Sequence, residues 1–424
     1  MDRIKFSCHK TIDYNLNDGD WTSITSNTEG IKITVNTGDK IQFRGDNTAY
    51  CGDNPDLCST FSGSTAEFEI EGNIMSLINS TNFTTAITLE SNFTFAVLFG
   101  DCTGLTSAEN LILPATTLAM GCYAGMFNGC TSLTTAPALP ATTLYGGCYT
   151  GMFAGCSSLT TAPSILPANT LAMGCYGSMF QGCTSLTTAP ALPATTLAEN
   201  CYTGMFAGCG SLTTAPSILP ADTLVGYCYE KMFNGCTSLT TAPELPATTL
   251  ADYCYSEMFQ DCTSLTTAPE LPATTLADSC YYVMFNGCTS LTTAPSILPA
   301  DTLVGYCYRN MFQGCTSLTT APELPATTLA DNCYEYMFYG CSSLTTAPVL
   351  PATTLADSCY QHMFHGCGKL NYIKCLATNI SASYCTNAWV YGIASNGTFV
   401  KASSITSWST GYSGIPEGWT VKDA

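Results

Sequence analysis

The strongest constraint on the fold is a unit of about 26 residues that recurs nearly unchanged from Cys102 to Cys367. The copy at residues 239–264 reads LTTAPELPATTLADYCYSEMFQDCTS. A unit this short cannot bury an apolar face alone, so successive copies have to stack into one elongated domain. The sequence therefore predicts a repeat solenoid, rather than the two or three globular domains that 424 residues would otherwise suggest.

Comparison of the repeats with one another separates constant from variable positions. Each repeat is numbered from its first cysteine, which is phase 0; the constant residues are then Cys at 0, Tyr at 1, Met at 4, Phe at 5 and Cys at 8. At 100° per residue these positions share one face about 140° wide, which predicts an amphipathic helix with the constant residues buried. Phases −2, −1, 2, 3 and 6 are then expected to face solvent.

The segment Leu-Thr-Thr-Ala-Pro occurs nine times and is rich in β-branched residues, so we expect a short strand that ends at the proline. Stacked strands repeat about every 4.8 Å, whereas packed helices need roughly 8–10 Å, so the stack should curve with its strands inside. The predicted fold class is an α/β repeat solenoid, curved and leucine-rich-repeat-like, with one strand and one helix per repeat.

The predicted domain organisation has three parts. Residues 1–78 lack the repeat and alternate apolar with polar residues, as at Ile31–Val35, so they are predicted to be a small all-β domain. Within it we expect a hairpin between Tyr14 and Trp21 and a strand at Phe68–Ile70. Residues 79–385 are the predicted solenoid, in which residues 79–110 form a degenerate N-terminal cap. Residues 386–424 are the predicted C-terminal cap, because end repeats have one face in water and depart from the pattern. Short strands are predicted near Gly397 and Gly418, and Trp389, Trp408 and Trp419 are predicted to pack within this cap.

Cysteine is unusually frequent, and 20 of the 26 cysteines form ten C-x7-C pairs inside repeats. Eight helical residues would span about 12 Å, whereas the Cα atoms of a disulfide lie within about 7 Å. We therefore predict buried thiols that pack as small hydrophobic groups. Outside the array, Cys51 and Cys58 enclose a polar loop with three open interpretations: a plain turn, a local disulfide, and a calcium site at Asp53, Asn54 and Asp56.

Charge and motif content argue against several functions. A formal net charge of −19 disfavours nucleic acid, and the lack of about 18 consecutive apolar residues predicts no membrane insertion. The N-terminus has no apolar signal-peptide region. No catalytic triad or phosphate-binding loop is present, so we predict no enzyme and no cofactor. His362 and His365 could share zinc, but no third ligand is evident, and we predict no metal site.

The pattern MFxGCTSLTTAPxLPATTL resembles the BspA-like leucine-rich repeat family over about residues 93–390. The period is a few residues longer than is usual in that family, which suggests a subfamily form. The resemblance implies the surfaces of gut and oral bacteria, adhesion and partner binding, and it supplies no catalytic residues. The C-terminal stretch Gly414–Val421, together with a small β domain, is also similar to chains encoded by phages or prophages of gut anaerobes.

These observations lead to one main hypothesis and two alternatives. The main hypothesis is a non-enzymatic recognition protein of a phage virion, a fibre or decoration protein, whose repeats contact a protein or glycan on the host surface. Residues 1–78 would then attach to virion structural proteins. The alternatives are a bacterial cell-surface adhesin whose leader has been removed and a purely structural virion assembly protein. The oligomeric state is left open.

The candidate binding surface consists of residues that change between repeats, because the constant residues are explained by stacking. One group lies at variable phases of the predicted helix and the other directly after the proline of the predicted strand. The first group is Glu230, Lys231, Tyr253, Glu257, Tyr282, Tyr306, Arg309, Tyr336 and the position Tyr339-Gly340; the second is Glu244, Glu270 and Glu323.

Overall fold

The computed structural model describes residues 3–5, 10–25, 30–51, 58–62 and 66–424. The chain divides into two compact units, Met1–Leu212 and Thr213–Ala424. His9 and the proposed calcium ligands Asp53, Asn54 and Asp56 lie outside the described residues.

The described part of the N-terminal region contains two three-stranded antiparallel sheets. In the first, β1 (Arg3–Lys5) pairs with β4 (Ile31–Lys32) and β6 (Thr60–Ser62). In the second, β2 (Thr11–Leu16) pairs with β3 (Thr22–Thr25) and β5 (Ile41–Arg44). The predicted β2–β3 hairpin is confirmed, and its turn places Asn17 and Asp18 in the left-handed region. Cys51 and Cys58 are joined by a disulfide.

The N-terminal region continues directly into the first repeats. The predicted strand at β7 (Phe68–Glu69) is confirmed, but its parallel partner is β9 (Leu105–Ser107), inside the array. Similarly, β8 (Gly72–Asn73) pairs in parallel with β10 (Leu111–Ile112). These pairings cover the end of the stack.

Aromatic contacts extend the same connection into the core of the first unit. Tyr50 stacks on Phe95 with ring centroids 6.2 Å apart, and Phe61 stacks on Phe99 at 5.3 Å. The N-terminal region therefore supplies the layer that precedes the first degenerate repeat.

Each regular repeat contains a segment, phases −2 to 8, in which β-turns follow one another. In the repeat of Cys254, even-phase N–H groups bond the carbonyl three residues earlier, as Met258 does to Tyr255 at 3.3 Å. Odd-phase N–H groups bond the next repeat instead, as Glu257 does to the Tyr282 carbonyl at 2.8 Å. Backbone donors thus alternate between closing a turn and joining the neighbouring repeat. We call this segment the turn ladder.

The predicted amphipathic helix is wrong. The described residues contain no α-helix, and their helical elements are the 3-10 turns Ile74–Leu77 and Phe83–Thr85. The physical reason is a left-handed residue at phases −1, 3 and 7, as at Tyr253, Glu257 and Asp261, with φ of 55–58°. An α-helix needs φ near −63° at every residue, so a left-handed residue at every fourth position prevents it.

The predicted burial pattern is nevertheless confirmed. Phases 0, 1, 4, 5 and 8 of every regular repeat are at most 1% exposed. The repeat solenoid is therefore confirmed, whereas its helical component, the α/β part of the predicted fold class, has to be corrected.

The predicted Leu-Thr-Thr-Ala-Pro strands are mostly reduced to single-residue parallel β-bridges. In several neighbouring segments the second threonine bridges its equivalent in the next repeat, as Thr241 does with Thr267 and Thr267 with Thr293. A second row of bridges joins threonines of the Ala-Thr-Thr-Leu segment, such as Thr249 and Thr275. Proline lacks an N–H group and follows two residues after the first bridge, which limits the extension of the ladder.

Aromatic side chains of the turn ladders form two stacked columns in each unit. In the second unit the tyrosines from Tyr229 to Tyr360 have centroids 5.6–6.0 Å apart, and the phenylalanines from Phe233 to Phe364 have centroids 5.5–5.8 Å apart. Their planes lie within 20° of parallel. Spacings near 5.5 Å between parallel rings are typical of offset stacking.

The prediction of buried free thiols in the array is confirmed. The phase 8 cysteines also have a role that the sequence did not predict. Their S–H groups donate to the phase 5 carbonyl of the preceding repeat, as Cys262 does to Phe233 and Cys288 to Phe259, each at 3.1 Å. Thiol and carbonyl therefore add one weak hydrogen bond to each of these junctions.

The second unit ends in a four-stranded parallel sheet with the order β11 (Thr346–Leu350), β12 (Tyr372–Cys375), β13 (Thr398–Lys401) and β14 (Thr420–Asp423). The two C-terminal strands predicted near Gly397 and Gly418 are confirmed. Trp389 is fully buried, stacks on Trp408 at 5.9 Å and donates its indole N–H to the Gly414 carbonyl. The interpretation of these tryptophans as cap packing is confirmed.

Candidate functional site

The first group of candidate residues lies on the turn ladders of the second unit. The variable face is defined here as phases −1, 2, 3 and 6 of its seven turn ladders, which start from Cys228, Cys254, Cys280, Cys307, Cys333, Cys359 and Cys385. All residues of the first group occupy these phases except Gly340, which follows Tyr339 at phase 7. Their side chains are half-buried or exposed. The prediction that these phases face solvent is confirmed only in part, because Ser256, Ser279 and Glu335 occupy the same phases and are buried.

Backbone conformation distinguishes the variable face from the same phases of the first unit. Phases −1 and 3 are left-handed in both. The four regular repeats of the first unit fill six of these eight positions with glycine: Gly121, Gly125, Gly147, Gly151, Gly174 and Gly204. The second unit has no glycine at its fourteen positions: Tyr227, Lys231, Tyr253, Glu257, Ser279, Val283, Tyr306, Asn310, Asn332, Tyr336, Ser358, His362, Tyr384 and Ala388.

This contrast was missed in the sequence, although a signal was present. Glycine at every fourth residue, as in Gly121, Gly125 and Gly129, marks a backbone that needs positive φ at that spacing. Non-glycine residues are uncommon in that region. A residue other than glycine at phase −1 or 3 therefore carries a side chain where the backbone favours glycine.

The first part of the variable face is a small charged group beside a tyrosine stack. Lys231 Nζ lies 3.3 Å from Glu230 and 3.4 Å from Glu257. Burial acts to lower the pKa of Lys231, but the two carboxylates outweigh it and hold the pKa above its ordinary value. Tyr227 and Tyr253 stack at 5.0 Å with planes 5° apart. This part offers an aromatic surface and charges that are already paired.

The second part is centred on Arg309. Its Nε lies 2.8 Å from a carboxylate oxygen of Glu335, which is almost completely buried. Burial raises the pKa of Glu335, while the positive charge of Arg309 acts in the opposite direction. The guanidinium carbon lies 5.5 Å from the ring centroid of Tyr306 and 6.0 Å from that of Tyr282. Both distances fall within the range of cation–π attraction.

The third part is a cluster of tyrosines and histidines. Tyr336 stacks on His362 at 4.6 Å, and Tyr339 and Tyr391 lie 4.7 and 4.8 Å from the His365 ring. The Nδ1 atoms of the two histidines are 3.2 Å apart. Burial lowers the pKa of both histidines, and the neighbouring imidazole lowers that of His362 further. The rings are therefore mostly neutral at neutral pH.

The second group of candidates, the glutamates after the proline, belongs to a different segment of the repeat. Glu244, Glu270 and Glu323 are exposed. Glu270 accepts hydrogen bonds from the backbone N–H of Ser296 at 3.1 Å and from its hydroxyl at 2.9 Å. None of the ion pairs of the described residues joins these glutamates to Lys231 or Arg309. The two groups of candidates are therefore separate sets.

The described part of the chain gives little support for metal or thiol chemistry. It contains no cluster of three or more His, Cys, Asp and Glu side chains placed to hold a metal ion. Burial raises the pKa of the thiols, to about 12 for Cys254, so they are poor nucleophiles. None of the described helices is long and apolar enough to span a membrane.

Comparison with known proteins identifies the array. The family model described as the BspA type leucine rich repeat region matches in six copies, over residues 98–240, 149–292, 202–344 and 282–388. A search of curated proteins found no match.

Two solved structures are similar to this chain. A leucine-rich repeat protein from Bacteroides ovatus is 16% identical, with a TM-score of 0.42, over 80% of this chain and 88% of that one. A leucine rich cell surface protein from Faecalibacterium prausnitzii is 17% identical, with a TM-score of 0.29, over 66% of this chain and 82% of that one. Because the family model matches most of residues 1–424, the chain belongs to the BspA-type leucine-rich repeat family.

Proposed function

We propose that this chain is a non-enzymatic recognition protein of a bacterial cell surface, which binds a protein or a glycan through the variable face. Membership of the family supports a binding role carried by the repeats. Family membership favours the adhesin alternative, whereas no observation specifically supports the virion fibre.

One observation carries the placement of the binding surface. A left-handed conformation costs an L-residue roughly 1–2 kcal/mol, and glycine avoids this cost. The first unit shows that the same backbone accepts glycine at phases −1 and 3, whereas the second unit has side chains as large as Tyr306 and Tyr336 there. Backbone strain of this kind persists mainly where a function uses it. The variable face is therefore the best-supported contact surface.

The composition of this face narrows the chemistry of its partner. Lys231 and Arg309 are the two lysine or arginine residues between positions 45 and 368, and each is paired with a carboxylate. A polyanion would meet little free positive charge here. Tyrosine rings and side-chain amides suit apolar faces bordered by hydrogen-bonding groups, which both sugar rings and protein surfaces present.

A substitution to glycine tests this proposal without unfolding the chain. In the binding variant, Tyr253, Tyr306 and Tyr336 are all replaced by glycine, the residue that their φ angles favour. The matched control carries Ser178→Gly and Asn200→Gly, at the same phases of the first unit. Labelled proteins are assayed on intact bacterial and epithelial cells and on a glycan array. We expect at least tenfold weaker binding for the triple variant and wild-type binding for the control.

The proposal would be refuted by a wild-type protein that binds no cell or glycan, or by a triple variant that binds as well as wild type. The location is tested separately, by mass spectrometry of washed cell envelopes and of purified virions from the encoding organism. Detection in envelopes supports the cell surface. Detection in virions alone would overturn that location and restore the fibre hypothesis.

A further inference from the structure

We infer that His362 and His365 form an open two-histidine site for a divalent transition metal ion such as Zn²⁺. Their Nδ1 atoms face each other at 3.2 Å. With Zn–N bonds of about 2.0–2.1 Å and a tetrahedral angle, two ligating nitrogens lie about 3.3–3.4 Å apart. The observed separation therefore needs only a small adjustment for both nitrogens to ligate one ion.

Packing against neighbouring repeats holds both rings in place. His362 stacks on Tyr336, and His365 lies between Tyr339 and Tyr391 of the repeats before and after it. The backbone is fixed as well, because the N–H of His362 bonds the Asn387 carbonyl at 2.9 Å. Ligands that are already oriented lose less conformational freedom when an ion binds.

The surroundings keep the lone pairs available. A metal ligand has to be the neutral imidazole, and burial lowers the pKa of both residues. The side chains in ring contact with the pair are those of Tyr336, Tyr339 and Tyr391, so these contacts include no carboxylate or ammonium group.

The site would be open. The described residues around the pair supply no third His, Cys, Asp or Glu ligand, so water would fill the remaining positions. This inference does not depend on the proposed cell-surface function. A hydrogen bond between two neutral imidazoles would give a similar Nδ1 separation without any metal, and the experiment has to separate the two cases.

Titration with Co²⁺ and Zn²⁺ separates them. Every protein carries His9→Gln, so that the pair provides the only imidazoles in the chain. Visible absorption follows Co²⁺ under reducing conditions, and calorimetry follows Zn²⁺. We expect one equivalent of Co²⁺ to bind, seen as a change in its visible absorption, and we expect Zn²⁺ to displace it. His362→Gly, which suits the left-handed φ, and His365→Ala should each weaken binding at least tenfold, whereas Gln361→Ala should not change it.

Several outcomes would overturn the inference. Absence of binding would leave the imidazole hydrogen bond as the explanation of the 3.2 Å separation. Equal binding by wild type and the histidine variants would place the ion elsewhere, and sulfur-to-cobalt charge-transfer bands would assign it to cysteine. Circular dichroism and urea midpoints of the variants show whether a loss of binding reflects unfolding.

Discussion

The turn ladder and the predicted helix give opposite signs for one substitution, Gly151→Ala. Gly151 occupies phase 3 of its repeat with φ of 59°. The nearest atom that an alanine Cβ would meet is the Cβ of Ala154, at 3.9 Å, which is ordinary contact. Steric overlap therefore contributes little, and the effect comes from the backbone.

The magnitude follows from two opposing contributions. An L-residue in the left-handed region costs about 1–2 kcal/mol, and alanine recovers about 0.4–1 kcal/mol by restricting the unfolded chain. We therefore expect Gly151→Ala to destabilise the protein by about 1 kcal/mol. In a helix the same change would stabilise it by about 0.8–1 kcal/mol.

The reverse substitution at the same phase of another repeat is the matched control. Ala388 has φ of 49°, so Ala388→Gly should stabilise the chain by about 1 kcal/mol, where a helix would lose that amount. Urea unfolding monitored by circular dichroism measures both, with the slope of the transition checked for equality among the proteins. A higher midpoint for Gly151→Ala together with a lower one for Ala388→Gly would refute the turn ladder.

Three further predictions address packing, the C-terminal cap and the thiols. Phe259→Ala should cost about 3–5 kcal/mol in urea unfolding, because the ring is buried between its column neighbours, and a cost below about 0.5 kcal/mol would contradict the columns. Gly397→Ala should cost about 1–3 kcal/mol in the same assay, because a Cβ would collide with the Asn371 carbonyl; an unchanged midpoint would be inconsistent with that contact. Array cysteines such as Cys254, with a pKa of about 12, should resist alkylation at pH 8 in the native protein and should react after denaturation without reductant. Mass spectrometry that finds ten or more disulfides would exclude the buried-thiol structure.

The helix prediction failed because a burial pattern over nine residues cannot distinguish the 3.6-residue period of a helix from the four-residue period of the turn ladder. Between phases 0 and 8, side chains turn by about 800° in a helix and by about 720° in a strict four-residue repeat. The difference of about 80° is smaller than the 140° width of the buried stripe. Both conformations therefore bury the same residues, as the full burial of Cys254, Phe259 and Cys262 shows. Side-chain burial was predictable because it follows apolar composition. The hydrogen-bond partners were not, because every residue has the same N–H and C=O groups.

The candidate site was predictable to a similar extent. The division into constant and variable phases followed from the repeats, and it placed Glu230, Arg309 and Tyr336 on the accessible surface. The Nδ1 separation of the histidine pair was not accessible, because it depends on ring orientations that neighbouring tyrosines impose. The backbone cost at phases −1 and 3 was also hidden, because a helix would place no residue at positive φ.

If the variable face had a purely structural role, its side-chain contacts would have to stabilise the fold by at least as much as the left-handed backbone destabilises it. Some recovery occurs, since Tyr227 stacks on Tyr253 and Lys231 pairs with two carboxylates. Such stacks contribute about 0.5–1.5 kcal/mol and exposed ion pairs about 0–1 kcal/mol, which at best equals the backbone cost. Tyr384 is 70% exposed and still left-handed, so little burial compensates it. Since odd-phase N–H groups join the next repeat whatever the side chain, stacking does not require these residues. The proposed contact with a partner is the explanation that fits the exposed ones, such as Tyr384.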